Sequence, residues 1–153
     1  MDLLQKIISE IKSGKIKTKK ELAKRKRILA KGCKKIPSSP EILAAAKNKK
    51  AIRQLLQIKP TRTISGVAVV AVMSKPSPCP HGKCTYCPHF DNVPESYTGK
   101  EPAARRGIAN RFDPYKQVQN RLEQLYKTGH LPQKVELIIM VGTFPSLPKK
   151  YQE

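Results

Sequence analysis

Two short apolar runs constrain this chain more than anything else in it. VAVVAVM at 67–73 and VELIIMV at 135–141 are rich in β-branched residues and almost unbroken in hydrophobicity. A strand with one solvated face alternates apolar and polar residues. An uninterrupted run of this length reads instead as a strand covered on both faces, as in a parallel sheet. Between the runs, Asp113-Pro114 opens a helical stretch in which Tyr115, Val118, Leu122 and Leu125 make one apolar stripe, and Gly129 closes it. Strand, loop, helix, strand is one βαβ unit, with its functional loop expected at the C-terminal end of the first strand. A single unit of this kind neither closes a barrel nor finishes a sheet. The chain is therefore expected to be the front part of a larger α/β protein, or to be completed by a second chain.

The first sixty residues follow a helical period. Leu3, Leu4, Ile7, Ile8 and Ile11 mark a short amphipathic helix over 2–12, stopped by Ser13-Gly14. Thr18 and Glu21 have the spacing of a capping box for a second helix, whose body ELAKRKRILAK offers Leu22, Ile28 and Leu29 to a core. A third helix is expected from Ser39-Pro40-Glu41, with Ser39 as cap, to about Gln57. Lys59-Pro60 ends it, because the residue before proline is pushed out of the helical region. The reading is thus a basic helical region over 1–60 and an α/β region over 61–153, with a Pro-, Cys- and Gly-rich loop at 74–102.

Charge speaks to partners. Residues 1–60 carry 18 Lys and Arg against 4 Asp and Glu, out of a net charge of +20 for all 153 residues. Self-repulsion of this size points to a polyanion, and the densest cations are Lys19, Lys20, Lys24, Arg25, Lys26 and Arg27. No aromatic residue occurs in 1–60, so phosphate contact is expected there rather than base stacking. No apolar run approaches the roughly 20 residues of a membrane helix. The N-terminus lacks the pattern of a signal peptide, so a cytoplasmic, reducing location is expected. In that setting four cysteines suggest metal before disulfides.

Three of the four fall within nine residues: Cys79-Pro-His-Gly-Lys-Cys84-Thr-Tyr-Cys87. Thiolates are soft ligands suited to iron–sulfur clusters and zinc. Three on one loop can hold three corners of a cubane and leave the fourth iron open. They can equally make a Cys3His zinc site with His81 or His89, and spacing alone leaves both readings standing. Lys75 and Lys83 lie nearby in sequence and would stabilise thiolates. Arg105, Arg106 and Arg111 are candidates for phosphate contact.

Taken together, VAVVAVMSKPSPCPHGKCTYCP, SYTGKEP, RFDPYKQVQNRLEQL and GHLPQKVELIIMVGTF closely resemble the radical S-adenosylmethionine domain of the Elongator catalytic subunit, in its archaeal single-protein form. The resemblance runs from about residue 60 onward, and the basic helical region suits the family's tRNA-binding N-terminal region. It implies the start of a partial TIM barrel, a [4Fe–4S] cluster on Cys79, Cys84 and Cys87, and S-adenosyl-L-methionine bound at the open iron near Gly142 and Thr143. It implies modification of the tRNA wobble uridine-34 at C5 towards carboxymethyluridine, with acetyl-CoA as carbon donor handled by a separate acetyltransferase domain. Most of the barrel and that domain lie outside the resemblance, so activity of this chain alone is left open. Two positions depart from the family pattern: Val141-Gly142 stands for a glycine pair, and Cys87-Pro88-His89-Phe90 stands where Cys-Pro precedes a glycine pair. The alternative reading is a non-catalytic, zinc-binding, basic RNA-binding module.

Overall fold

The computed structural model describes all residues except Met1, Asn48, Lys49 and Thr143. The chain is a mixed α/β protein that divides into two compact units, one made of residues 1–66 and 123–132, the other of 67–122 and 133–153.

The first unit is helical. Helices α1 (Leu3–Lys12), α2 (Lys19–Leu29), α3 (Ser39–Ala45) and α4 (Lys50–Leu56) enclose a core of Ile7, Ile8, Ile16, Leu22, Ile42, Leu43, Ile52 and Leu56. Each such side chain stabilises by about 1.5–3 kcal/mol on burial, and that is what holds short helices which would be marginal alone. The expected capping box at α2 is present, with Thr18 accepting from the Glu21 amide and Glu21 accepting from the Thr18 amide. At α3 the cap is Ser38 rather than Ser39, and it makes a capping box with Glu41. The single helix expected over 39–57 is two helices. Lys47 sits in the left-handed region at φ 51, which an α-helix cannot continue through.

Residues 123–132 complete this unit. Gly129 is left-handed, and a Cβ there would lie 3.2 Å from Gln57 Cα and 3.3 Å from Leu43 Cδ2, so both backbone angle and space require glycine. Next to it His130 is fully buried. Its Nε2 lies 2.8 Å from the Ile58 carbonyl, an acceptor only, so Nε2 carries the proton. Nδ1 then accepts from Thr63 Oγ1 at 2.8 Å and Gln57 Nε2 at 3.0 Å.

The second unit is built on two parallel strands, β1 (Val67–Met73) and β2 (Lys134–Met140), paired in register from Val67–Lys134 to Met73–Met140. Helices α5 (Pro102–Ala109), α6 (Pro114–Lys127) and α7 (Lys149–Gln152) complete its regular structure, α6 running on into the first unit. Helix α5 follows the loop read over 74–102, in a stretch to which the sequence pattern assigned no element. Its Gly107 packs so closely that a Cβ would stand 2.9 Å from Met73 Cβ and from the Phe112 ring.

The two sheet edges differ. On β1, part of the outward-facing backbone is already satisfied: buried Gln117 accepts from the Met73 amide at 2.9 Å and donates to the Met73 carbonyl at 2.8 Å, as a neighbouring strand would. Arg106 donates to the Ala71 carbonyl at 2.6 Å. On β2 there is no such cover among the described residues. Burial on both faces was expected for this strand, yet Leu137 is 53% and Ile139 50% exposed. With β1 they border an apolar groove of about 420 Å³ together with Val118, Phe144 and Tyr151. The helical stripe also shifts, since Tyr115 is exposed and Gln117 is the buried residue of the first turns of α6.

Candidate metal centre

The cysteine loop starts where β1 ends. The Ser74 amide still bonds to the Met140 carbonyl at 3.1 Å, and the Lys75 amide donates to the Tyr151 hydroxyl at 3.0 Å. The Lys75 ammonium stacks over the same ring, 4.7 Å from its centre, so the loop leaves the sheet at a pinned point. Two tight turns follow, closed by Gly82 N to Cys79 O at 3.1 Å and Cys87 N to Cys84 O at 3.2 Å. Gly82 has φ 85, which the first turn demands of a residue without a Cβ. Further on, buried Pro94, the Pro94–Tyr97 turn and the Thr98–Glu101 hydrogen bonds return the chain to α5.

None of the four cysteines is in a disulfide, and Cys33 is exposed. Burial, and then the neighbouring Cys87 and Cys79, push the Cys84 thiol up. The Cys87 and Cys79 sulfurs are thus near enough to Cys84 to oppose its ionisation. His81 Nε2 lies 2.8 Å from Cys84 Sγ, and Ser96 Oγ lies 3.2 Å from Cys87 Sγ. Among the described residues no three His, Cys, Asp or Glu side chains converge as a closed metal site. By donor chemistry the loop suits a thiophilic metal or cluster; by geometry it must draw in around one.

A narrow cleft joins this loop to the one after β2, lined by Cys79, Pro94, Glu95, Val141, Gly142 and Ser146. Its volume is about 10 Å³, room for about one water. Gly142 lies at its mouth with a φ outside the left-handed region, and a Cβ there would meet only Glu95 at ordinary contact distances of 3.5 and 3.7 Å. Packing does not explain glycine at that position. Thr143, paired with it in the sequence reading, lies outside the described residues.

The six cations of α2 are divided in use. Lys19 donates to the Gln57 carbonyl at 2.8 Å, and Arg25 forms a two-pronged pair with Glu10. Burial lowers the pKa of Lys26, against the opposing pull of Glu41. Lys20, Lys24 and Arg27 are exposed with no hydrogen bond or ion pair among the described residues. They stand at i, i+4 and i+7, one row along a single helical face.

Fold and site together define an α/β chain with a thiol-rich loop at the carboxyl end of a parallel strand and a helical region carrying a cationic row. No protein-family model matches the chain. It is 49% identical over 165 aligned residues to the tRNA uridine(34) acetyltransferase of Methanocaldococcus infernus, covering 99% of this chain and 30% of that protein. It is 48% identical to the protein of the same name from Methanocaldococcus jannaschii, with the same coverage. Elongator complex protein 3 of Saccharomyces cerevisiae is 50% identical over 115 residues, 69% of this chain and 21% of that protein. The chain belongs to the family of these proteins. It spans about 30% of the length of the archaeal relatives.

Proposed function

We propose that this chain serves in C5 modification of the tRNA wobble uridine-34, supplying the tRNA-binding region and the cluster loop of a radical S-adenosylmethionine enzyme. The observation that carries the reading is the position of three thiols within nine residues of one loop, leaving the C-terminal end of β1, in a chain homologous throughout to proteins named for tRNA uridine(34) acetylation.

In this reading Cys79, Cys84 and Cys87 hold a [4Fe–4S] cluster, and Gly142 and Thr143 border the S-adenosylmethionine site. When bound, that pair supplies a carbon-centred radical for chemistry on an acetyl group that originates in acetyl-CoA. A glycine without a packing reason at the mouth of the cleft fits close approach of a ligand to the backbone. The cleft as it stands is too small for a nucleoside, so the two loops part on binding. The two strands are the start of a partial TIM barrel, and the strand that follows belongs on β2, whose edge is open where that of β1 is covered at Ala71 and Met73 by Arg106 and Gln117. That strand comes from a second polypeptide or from further sequence of the kind the relatives possess.

The tRNA part is tested by titrating tRNA into the chain at several salt concentrations and following fluorescence anisotropy. Binding that weakens steeply with salt is expected. Absence of binding at low salt, or affinity that salt leaves unchanged, contradicts it.

A further inference from the structure

Beside its exposed cationic row, helix α2 carries a second one. Lys19, Ala23 and Lys26 also stand at i, i+4 and i+7, and they line a groove of about 320 Å³ within the helical unit, at the low end of the range for small-molecule sites. Its walls are aliphatic, from Leu22, Leu55 and Leu56, and no acidic residue lines it. Three polar groups there are spare. Lys26 and Lys59 make no side-chain hydrogen bond or ion pair among the described residues. Ser39 is spare as well, because Ser38 caps α3 in its place. Glu41, which acts on Lys26 from outside the groove, is already paired with Lys35. Partial burial works against the Lys26 ammonium and lowers its pKa, a cost that a bound anion offsets.

Lys59 is held at the groove under strain. It has φ 51 and ψ 66, a left-handed conformation uncommon for a residue with a Cβ, and it precedes Pro60, where extended backbone is preferred. Its neighbours impose this. Lys19 donates to the Gln57 carbonyl at 2.8 Å, and the Ile58 amide donates to the Thr128 carbonyl at 3.1 Å. Buried His130 joins Gln57, the Ile58 carbonyl and Thr63, on both sides of Lys59. Strain that neighbours hold in place is concentrated at ligand clamps and other functional sites. A concave shape, aliphatic walls and spare cations suit one nucleotide turned out of its strand, phosphate on the lysines and base on the leucines. Duplex RNA keeps its bases stacked, so it can meet the exposed row of Lys20, Lys24 and Arg27 but cannot fill the groove. We propose that the groove seats one unstacked nucleotide of single-stranded RNA, with Lys26 and Lys59 on its phosphate and Lys19 as the positioning residue for the segment 57–59. This rests on the tRNA-binding reading above and adds that the helical unit tells a single-stranded part of the RNA from a duplex.

The test uses the full chain and fluorescence anisotropy with two probes, a short single-stranded oligouridine and an RNA duplex of equal length. Ala23→Gln fills the groove without changing charge, at an exposed helical position where folding is little affected. It is expected to weaken binding of the oligouridine about tenfold, towards the low end of what seating one base contributes, and to leave the duplex unchanged. The double variant Lys26→Gln with Lys59→Gln should lower the salt slope for the oligouridine by about one, as for a single phosphate. Equal weakening of both probes by Ala23→Gln, or of neither, overturns the proposal and leaves the tRNA-binding reading standing wherever the wild type still binds tRNA with steep salt dependence. A slope unchanged in the double variant overturns it too. A glutamate-rich peptide that binds the wild type more tightly than the oligouridine, and is lost in Ala23→Gln, assigns the groove to an acidic protein partner and overturns it. A chain that binds no RNA at low salt overturns both readings.

Discussion

His130 shows how much a single buried polar group organises. Its ring satisfies the Ile58 carbonyl, Thr63 and Gln57 together. His130→Ala leaves these groups unpaired beside a cavity, and a loss on the order of 3 kcal/mol is expected, read as a lower thermal midpoint. Gly107→Ala drives a methyl into Met73 and Phe112, with an expected cost of about 1–3 kcal/mol by the same measurement. Glu41 titrates far from its ordinary value: a hydrogen bond from Lys35, then those from Ser38, hold it at about 2 instead of 4.5. Because the folded value is the lower one, its contribution is complete above about pH 4.5 and fades as the pH falls towards 2. The amide resonances of α3 should report that loss in this window, and the Glu41→Gln variant should not show it. Little of this was legible beforehand. A glycine or histidine in a list of residues does not say what will lie 3 Å away.

At the scale of elements, legibility depended on whether the signal was local. The Thr18–Glu21 capping box and the limits of β1 needed only neighbours in sequence, and both appear as read. The break at Lys47 and the existence of α5 did not follow from periodicity, since PAARRGIA is short and its only large apolar residue, Ile108, is exposed. Gln117 was invisible for a different reason. A polar residue within an amphipathic helix reads as solvated until a strand edge is known to need it. Gln117→Leu removes both bonds to Met73 and is expected to cost about 2–4 kcal/mol. It also opens the β1 edge, so concentration-dependent association should appear in sedimentation, as exposed edges invite pairing. On α2, replacing Lys20, Lys24 and Arg27 by Gln should lower the salt slope of tRNA binding by about two to three. Replacing Lys19 and Arg25, which are held by Gln57 and Glu10, should change it less. Equal effects of the two sets would contradict the assignment to one helical face.

For the whole molecule, the sequence shared with tRNA uridine(34) acetyltransferases sets the frame, and the proposed function turns on the cysteine loop. The three cysteines could be located from spacing alone, which does not choose between metals. Spacing permits zinc and a cubane alike, and the structure adds a loop pinned at its start by Tyr151, with His81 against Cys84 and His89 held by Glu95. The exposed β2 edge was missed because strand patterns reveal what a strand needs, not whether its neighbour is at hand. Metal analysis after anaerobic reconstitution bears most directly on the central claim, with the wild type beside Cys84→Ser and iron, inorganic sulfide and zinc counted per chain. About four irons and four sulfides are expected in the wild type, with a marked loss in Cys84→Ser. One tightly held zinc that iron does not replace, or iron unchanged in Cys84→Ser, would contradict it.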